Sequence, residues 1–214
     1  MTLEYDLILF DFDGVISNSL DMAINGINII GRKYNLPQIR SKEDMDKLYD
    51  KELSNSLLKY GLKKDEIKNF FKEHARFMQK NSLNIKPFED VLRSIKKTSA
   101  RRALVTSSYL EAVNQIIGSE IDNRELFEVR IGKEYPETKT QKIKRVLEML
   151  NVKMQKSLYI GDMASDILYC HALPIHILAV GYGYQTSSFL RTFNPEYLVE
   201  NTKTLAQILE NGRL

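Results

Sequence analysis

The chain has 214 residues, 43% hydrophobic and 28% charged, with a formal net charge of +3, which predicts a globular protein able to bury a substantial core. No apolar stretch approaches the roughly 18 to 20 residues of a membrane span, and so weak a positive charge gives no footing for a nucleic-acid partner. The single cysteine, Cys170, has no internal disulfide partner, which fits a reducing compartment. The opening MTLEYDLILFDFDG carries acids beside a short apolar run, unlike a signal peptide, so a cytoplasmic protein is expected.

In chain order, Leu7 to Phe10 read as a strand buried on both faces, because an unbroken apolar run leaves no face for water. Asp11 and Asp13 follow at its end, and Gly14 is a turn residue. Next, Leu20, Ala23, Ile24, Ile27, Ile30 and Tyr34 recur at helical spacing, ending near Pro37. Further helical patches span Met45 to Tyr60 and Asp65 to Asn81, where Ile67, Phe70, Phe71, His74, Phe77 and Met78 share a face. No confident strand lies between Leu20 and Ile85.

From Pro87 helices and strands alternate: FEDVLRSIKK, then RRALVT, SYLEAVNQII, a short FEVRI, TKTQKIKRVLEML, SLYIGD, ASDILYCHAL and IHILAVGYG. Tyr197 to Val199 add an edge strand and Thr204 to Leu209 a closing helix. Such alternation implies right-handed crossovers and a parallel sheet. The expected fold is α/β, a Rossmann-like parallel sheet with an all-helical cap inserted after the first strand. The domains are then residues 1–16 with 87–214 as core and 17–86 as cap. The cap segment holds 14 Lys and Arg against 9 Asp and Glu, a positive excess that fits either a solvated surface or attraction of an anionic substrate.

Three predicted strands end alike: one in Asp11 and Asp13, one in Thr106, Ser107 and Ser108, one in Gly161 and Asp162, with Asp166 four residues on. In a parallel sheet these ends lie on one edge, where open α/β sheets place ligands. Carboxylates crowded together repel, and oxygen-only ligands select a hard cation such as Mg²⁺. Hydroxyls and unpaired N–H groups at a strand-to-helix junction suit phosphate oxygens. Attack by a carboxylate on a phosphate dianion also needs a nearby cation, and GKEYPETKTQKIKR offers Lys133, Lys139, Lys142 and Lys144.

In order and content, DFDGV, LVTSS, a lysine ahead of the last helix, and GDMASDI resemble the four motifs of the haloacid dehalogenase superfamily of phosphohydrolases. The match extends roughly from Tyr5 to Tyr184 and includes GYGY. The cap position resembles the branch containing phosphoglycolate phosphatase. The resemblance implies Asp11 as nucleophile, forming an aspartyl-phosphate, and Asp13 as general acid and base. It implies Thr106, with Ser107 and Gly14, at the substrate's phosphoryl group. Mg²⁺ would be held by Asp11, the Asp13 carbonyl and Asp162, with Asp166 direct or through water. Lys139, at about the family's distance from the last motif and just ahead of the helix, is the chosen motif lysine. Asn18 replaces an acid common after the first motif, and LYCHALP a small-residue stretch after the last; both read as packing differences.

The expected activity is Mg²⁺-dependent hydrolysis of a small phosphate ester, the cap acting as a lid. Alternatives are a sugar-phosphate mutase, a nucleoside monophosphatase, a phosphonate hydrolase needing a lid lysine (Lys42, Lys47 or Lys51), or a non-catalytic phosphate-binding module. Cap residues open to selection of substrate are Tyr34, Arg40, Tyr49, Tyr60, His74 and Arg76. His74, His171 and His176 lack zinc-site spacing, and GYGYQT lacks the third glycine of a dinucleotide loop. No nucleic-acid or membrane partner is expected, and the state is monomer or homodimer.

Overall fold

A computed structural model describes residues 5–118 and 123–212. Strand β1 (Leu7–Phe10) is buried along its whole length. Its end is followed by a tight turn and then β2 (Ser17–Asn18), which leads into α1 (Leu20–Gly31), α2 (Lys42–Tyr49), α3 (Leu53–Lys59) and α4 (Lys64–Lys80). The chain returns through β3 (Lys86–Pro87) to α5 (Glu89–Ile95), β4 (Arg101–Val105), α6 (Leu110–Ile117), α7 (Asn123–Leu126) and β5 (Val129–Ile131). It ends with α8 (Lys139–Leu150), β6 (Ser157–Gly161), α9 (Ala164–Ala172), β7 (His176–Val180), α10 (Ser187–Arg191), β8 (Tyr197–Val199) and α11 (Thr202–Asn211).

Six strands form one parallel sheet in the order β5-β4-β1-β6-β7-β8. The alternation of β1 explains why no polar residue fits within it. Ile8 and Phe10 enter the apolar cluster shared with α5, α6 and α11, while Leu7 and Leu9 enter the opposite one, against α8 and α9. Burying each such side chain contributes roughly 1.5–3 kcal/mol. Cys170 belongs to the second cluster, as a small apolar core residue. No helix among the described residues is long and apolar enough to cross a membrane.

Between β1 and β4 lies the helical insertion, with its own apolar cluster around Ile27, Met45, Leu48, Leu57 and Phe70. Its entry and exit are clamped as a two-stranded antiparallel ribbon, Ser17 opposite Pro87 and Asn18 opposite Lys86. The patch expected over Met45 to Tyr60 is instead two helices, α2 and α3. Asp50 breaks it with a left-handed φ of 39°, and its side chain pairs with Lys59. The insertion rests on the core through Asp46, which accepts the Thr186 backbone N–H at 3.0 Å and its hydroxyl at 2.6 Å.

Candidate active site

The sheet order puts β1 between β4 and β6, so the three strand ends singled out in the sequence are immediate neighbours. Register then aligns them. Phe10 pairs with both Leu104 and Ile160, and the Asp11 N–H continues the ladder onto the Ile160 carbonyl at 2.9 Å. Asp11 therefore leaves the sheet beside Val105 and Gly161, and Thr106 and Asp162 follow one residue further on, all at the carboxyl edge of the sheet.

Asp11, Asp162 and Asp166 converge, with one oxygen of each inside a 4.8 Å sphere of mutual distances, and all three are buried. Asp166 reaches the group from the first turn of α9, where its Oδ2 accepts the Met163 N–H at 3.1 Å and caps the helix. Lys139, the first residue of α8, sends its Nζ between Asp11 and Asp166, 2.8 Å from Asp166 Oδ1 and in direct hydrogen bond with Asp11. Thr138 fixes that helix start by a reciprocal cap with Gln141.

Burial shifts these groups. Loss of water pushes the Asp11 carboxyl up to about 6, with Lys139 pulling down and Asp166 pushing up. Asp162 is driven well above the carboxylate range by burial and by its acidic neighbours, while the Tyr184 N–H at 2.7 Å opposes the shift. Lys139 stays protonated because the attraction of Asp11 and Asp166 outweighs its desolvation. Three buried carboxylates against one ammonium leave excess negative charge in a dry site, and an all-oxygen donor set of this kind fits a hard divalent cation.

Asp13 stands apart from that cluster. Its Oδ1 accepts the Ser19 hydroxyl at 2.8 Å, and its Oδ2 accepts the Ser108 hydroxyl. Thr106 is 1% exposed and does not line the cavity; its Oγ1 accepts the Ser108 N–H at 3.0 Å. Ser107 and Ser108 do line it. Gly14 lies behind the wall: its N–H is committed to the Ser17 carbonyl at 2.9 Å. Its φ is +74°, and a Cβ there would come 1.9 Å from Asp162 Oδ2.

The other candidate lysines separate clearly. Lys142 is buried and donates to the carbonyls of Thr106 at 3.1 Å and Gly132 at 2.7 Å, tying α8 to the end of β4. Lys144 is exposed, and Lys133 lines the cavity without touching the acids. Sequence reasoning missed Ser19 and Tyr184, whose hydroxyls lie 3.0 Å apart beside Asp13. In GYGYQT, Gly183 abuts Asp162, where a Cβ would sit 2.4 Å from its Cβ. The loop wraps an acid and its glycine is explained by that contact.

A cavity of about 550 Å³ opens over these residues, and the insertion closes it with Tyr49, Phe71, His74 and Met78. Of the cap residues singled out in the sequence, Tyr49 and His74 line it; Tyr34, Arg40, Tyr60 and Arg76 do not. Lys42 donates instead to the Gly181 carbonyl at 2.6 Å, and neither Lys47 nor Lys51 lines the cavity.

Fold and site together define a hydrolase of the α/β type with an acidic metal-binding cluster. The family model for haloacid dehalogenase-like hydrolases matches residues 8–180, and the chain belongs to that family. It is 20% identical to pyrophosphatase PpaX of Halalkalibacterium halodurans over 97% of this chain and 98% of that protein. With phosphoglycolate phosphatase of Colwellia psychrerythraea it shares 25% identity over 94% and 96%. A haloacid dehalogenase-like family hydrolase from Streptococcus pneumoniae has the same fold, with a TM-score of 0.74 at 20% identity, covering 94% of this chain and 97% of that one.

Proposed function

We propose that this phosphohydrolase cleaves the phosphate ester of a small metabolite through an aspartyl-phosphate formed on Asp11. The observation that carries the reading is the bond from Lys139 to both Asp11 and Asp166. It holds the nucleophile ionised in a buried site and supplies a cation where a phosphoryl dianion must approach. Phosphoglycolate and pyrophosphate, after which the relatives phosphoglycolate phosphatase and pyrophosphatase PpaX are named, are the first substrates to try.

In this mechanism Asp11 attacks phosphorus and the ester oxygen leaves. Asp13, held in place by Ser19 and Ser108, gives that oxygen its proton. It then removes a proton from the water that hydrolyses the aspartyl-phosphate, restoring both acids. Ser107, on the cavity wall, binds phosphoryl oxygens through its backbone N–H, and Thr106, behind the wall, fixes that turn by accepting the Ser108 N–H. Asp11, Asp162, Asp166 and the Asp13 carbonyl would hold Mg²⁺, which supplies positive charge to offset the phosphoryl oxygens. Residues 17–86 act as the lid over a core of 1–16 and 87–214, excluding water and contacting the leaving group.

The test is phosphate release from an aryl phosphate. Turnover is expected to require Mg²⁺, to stop with a chelator, and to vanish in Asp11→Asn. Undiminished turnover by that variant would overturn the mechanism.

A further inference from the structure

Lys133 follows β5 and lines the cavity. Its backbone N–H donates to the Ser108 carbonyl at 2.9 Å, and the Ser108 hydroxyl bonds Asp13. Lys133 is thus tied to the turn that holds Asp13, the acid assigned to the departing group. Lys139, by contrast, is committed to Asp11 and Asp166. The two lysines serve different parts of one cavity.

Among the described residues no acid pairs with the Lys133 ammonium. Burial alone pushes its pKa down, and the ammonium lies over the Tyr109 ring, 5.9 Å from Nζ to centroid. Of the carboxylates on or beside the cavity, Glu134 accepts the Leu110 N–H at 2.7 Å, Glu52 accepts the Tyr169 hydroxyl at 3.2 Å, and Glu137 pairs with Arg145 at 3.0 Å through Oε1, its buried Oε2 being unpartnered; none of the three pairs with Lys133. His74 cannot stand in as a cation, since burial lowers its pKa. A half-desolvated ammonium without a counter-ion is costly, and a bound anion would remove that cost.

We propose that Lys133 pairs with a second anionic group, a carboxylate or a phosphate, on the leaving group of the substrate, and so selects doubly anionic phosphate esters. This rests on the phosphatase reading above, because it places the leaving group beside Asp13.

The experiment compares 2-phosphoglycolate, pyrophosphate and ethyl phosphate as substrates of the wild type, Lys133→Met and Lys133→Arg in Mg²⁺. The wild type is expected to favour one of the two doubly anionic compounds: phosphoglycolate assigns a carboxylate, pyrophosphate a phosphate. On that compound Lys133→Met should lose on the order of tenfold or more in kcat/KM, mainly through KM. The loss should far exceed that on ethyl phosphate, and Lys133→Arg should recover most of it. Equal losses on all three, or no advantage for a second anion in the wild type, would overturn the proposal. If none is hydrolysed, the phosphatase reading fails separately. Calorimetric binding of the same compounds then decides: tighter binding of an anionic compound that Lys133→Met loses supports the subsite, and equal binding overturns it.

Discussion

Lys139 Nζ stands 2.8 Å from Asp166 Oδ1 while also bonding Asp11, so one ammonium joins the end of β1 to the start of α9. Lys139→Met would leave three buried acids with no protein cation. It should lower kcat on the order of a hundredfold or more. Without metal it should also cost about 3 kcal/mol or more, the scale for breaking a buried pair. Steady-state kinetics and denaturant melts with and without Mg²⁺ check both, and Mg²⁺ should recover more stability in the variant than in the wild type.

The pH dependence follows from Asp11 and Asp162, both raised above the ordinary carboxylate range. A raised acid favours the folded state while protonated, so its contribution is complete below its unfolded pKa. It is lost as pH rises through the folded value, about 6 for Asp11. Metal-free protein should therefore melt lower at pH 7.5 than at pH 5, as far as these groups decide it. Mg²⁺, which competes with those protons, should raise the melting temperature more at pH 7.5. Thermal melts at the two pH values, with Mg²⁺ and with chelator, measure the difference.

Gly14→Ala should be severe for a single methyl group. The residue is left-handed at +74°, and the new Cβ would overlap Asp162 Oδ2 at 1.9 Å. The variant is expected to lose about 2 kcal/mol or more and to bind Mg²⁺ more weakly. Gly61→Ala, at +89° with nothing near its Cβ, is the control for backbone strain alone, and its Mg²⁺ affinity should match the wild type.

What the sequence revealed was set by local signals that survive folding. The unbroken LILF run could only be a central strand, and parallel topology then brings Asp11, Thr106 and Asp162 to one edge. Lys139 was legible from its distance to the last motif, which set it just ahead of the helix; it is instead the first residue of α8, whose Thr138 cap fixes its position. The ribbon of β2 and β3 was not legible, because two residues per strand carry no period. Nor was the break at Asp50, where neither Gly nor Pro marks the turn. Ser19 and Tyr184 meet across 165 positions of chain, and Lys142 hides in a helical pattern whose polar residues normally face water. Such pairings exist only once the fold has formed.

The central claim is that Asp11 carries the phosphoryl group during turnover. The direct measurement is acid quenching during steady-state hydrolysis of an aryl phosphate, followed by peptide mass mapping. The mechanism predicts a phosphoryl group on Asp11 in the wild type that is absent from Asp11→Asn. Turnover with Asp11 unmodified and the phosphoryl group on another residue would contradict it.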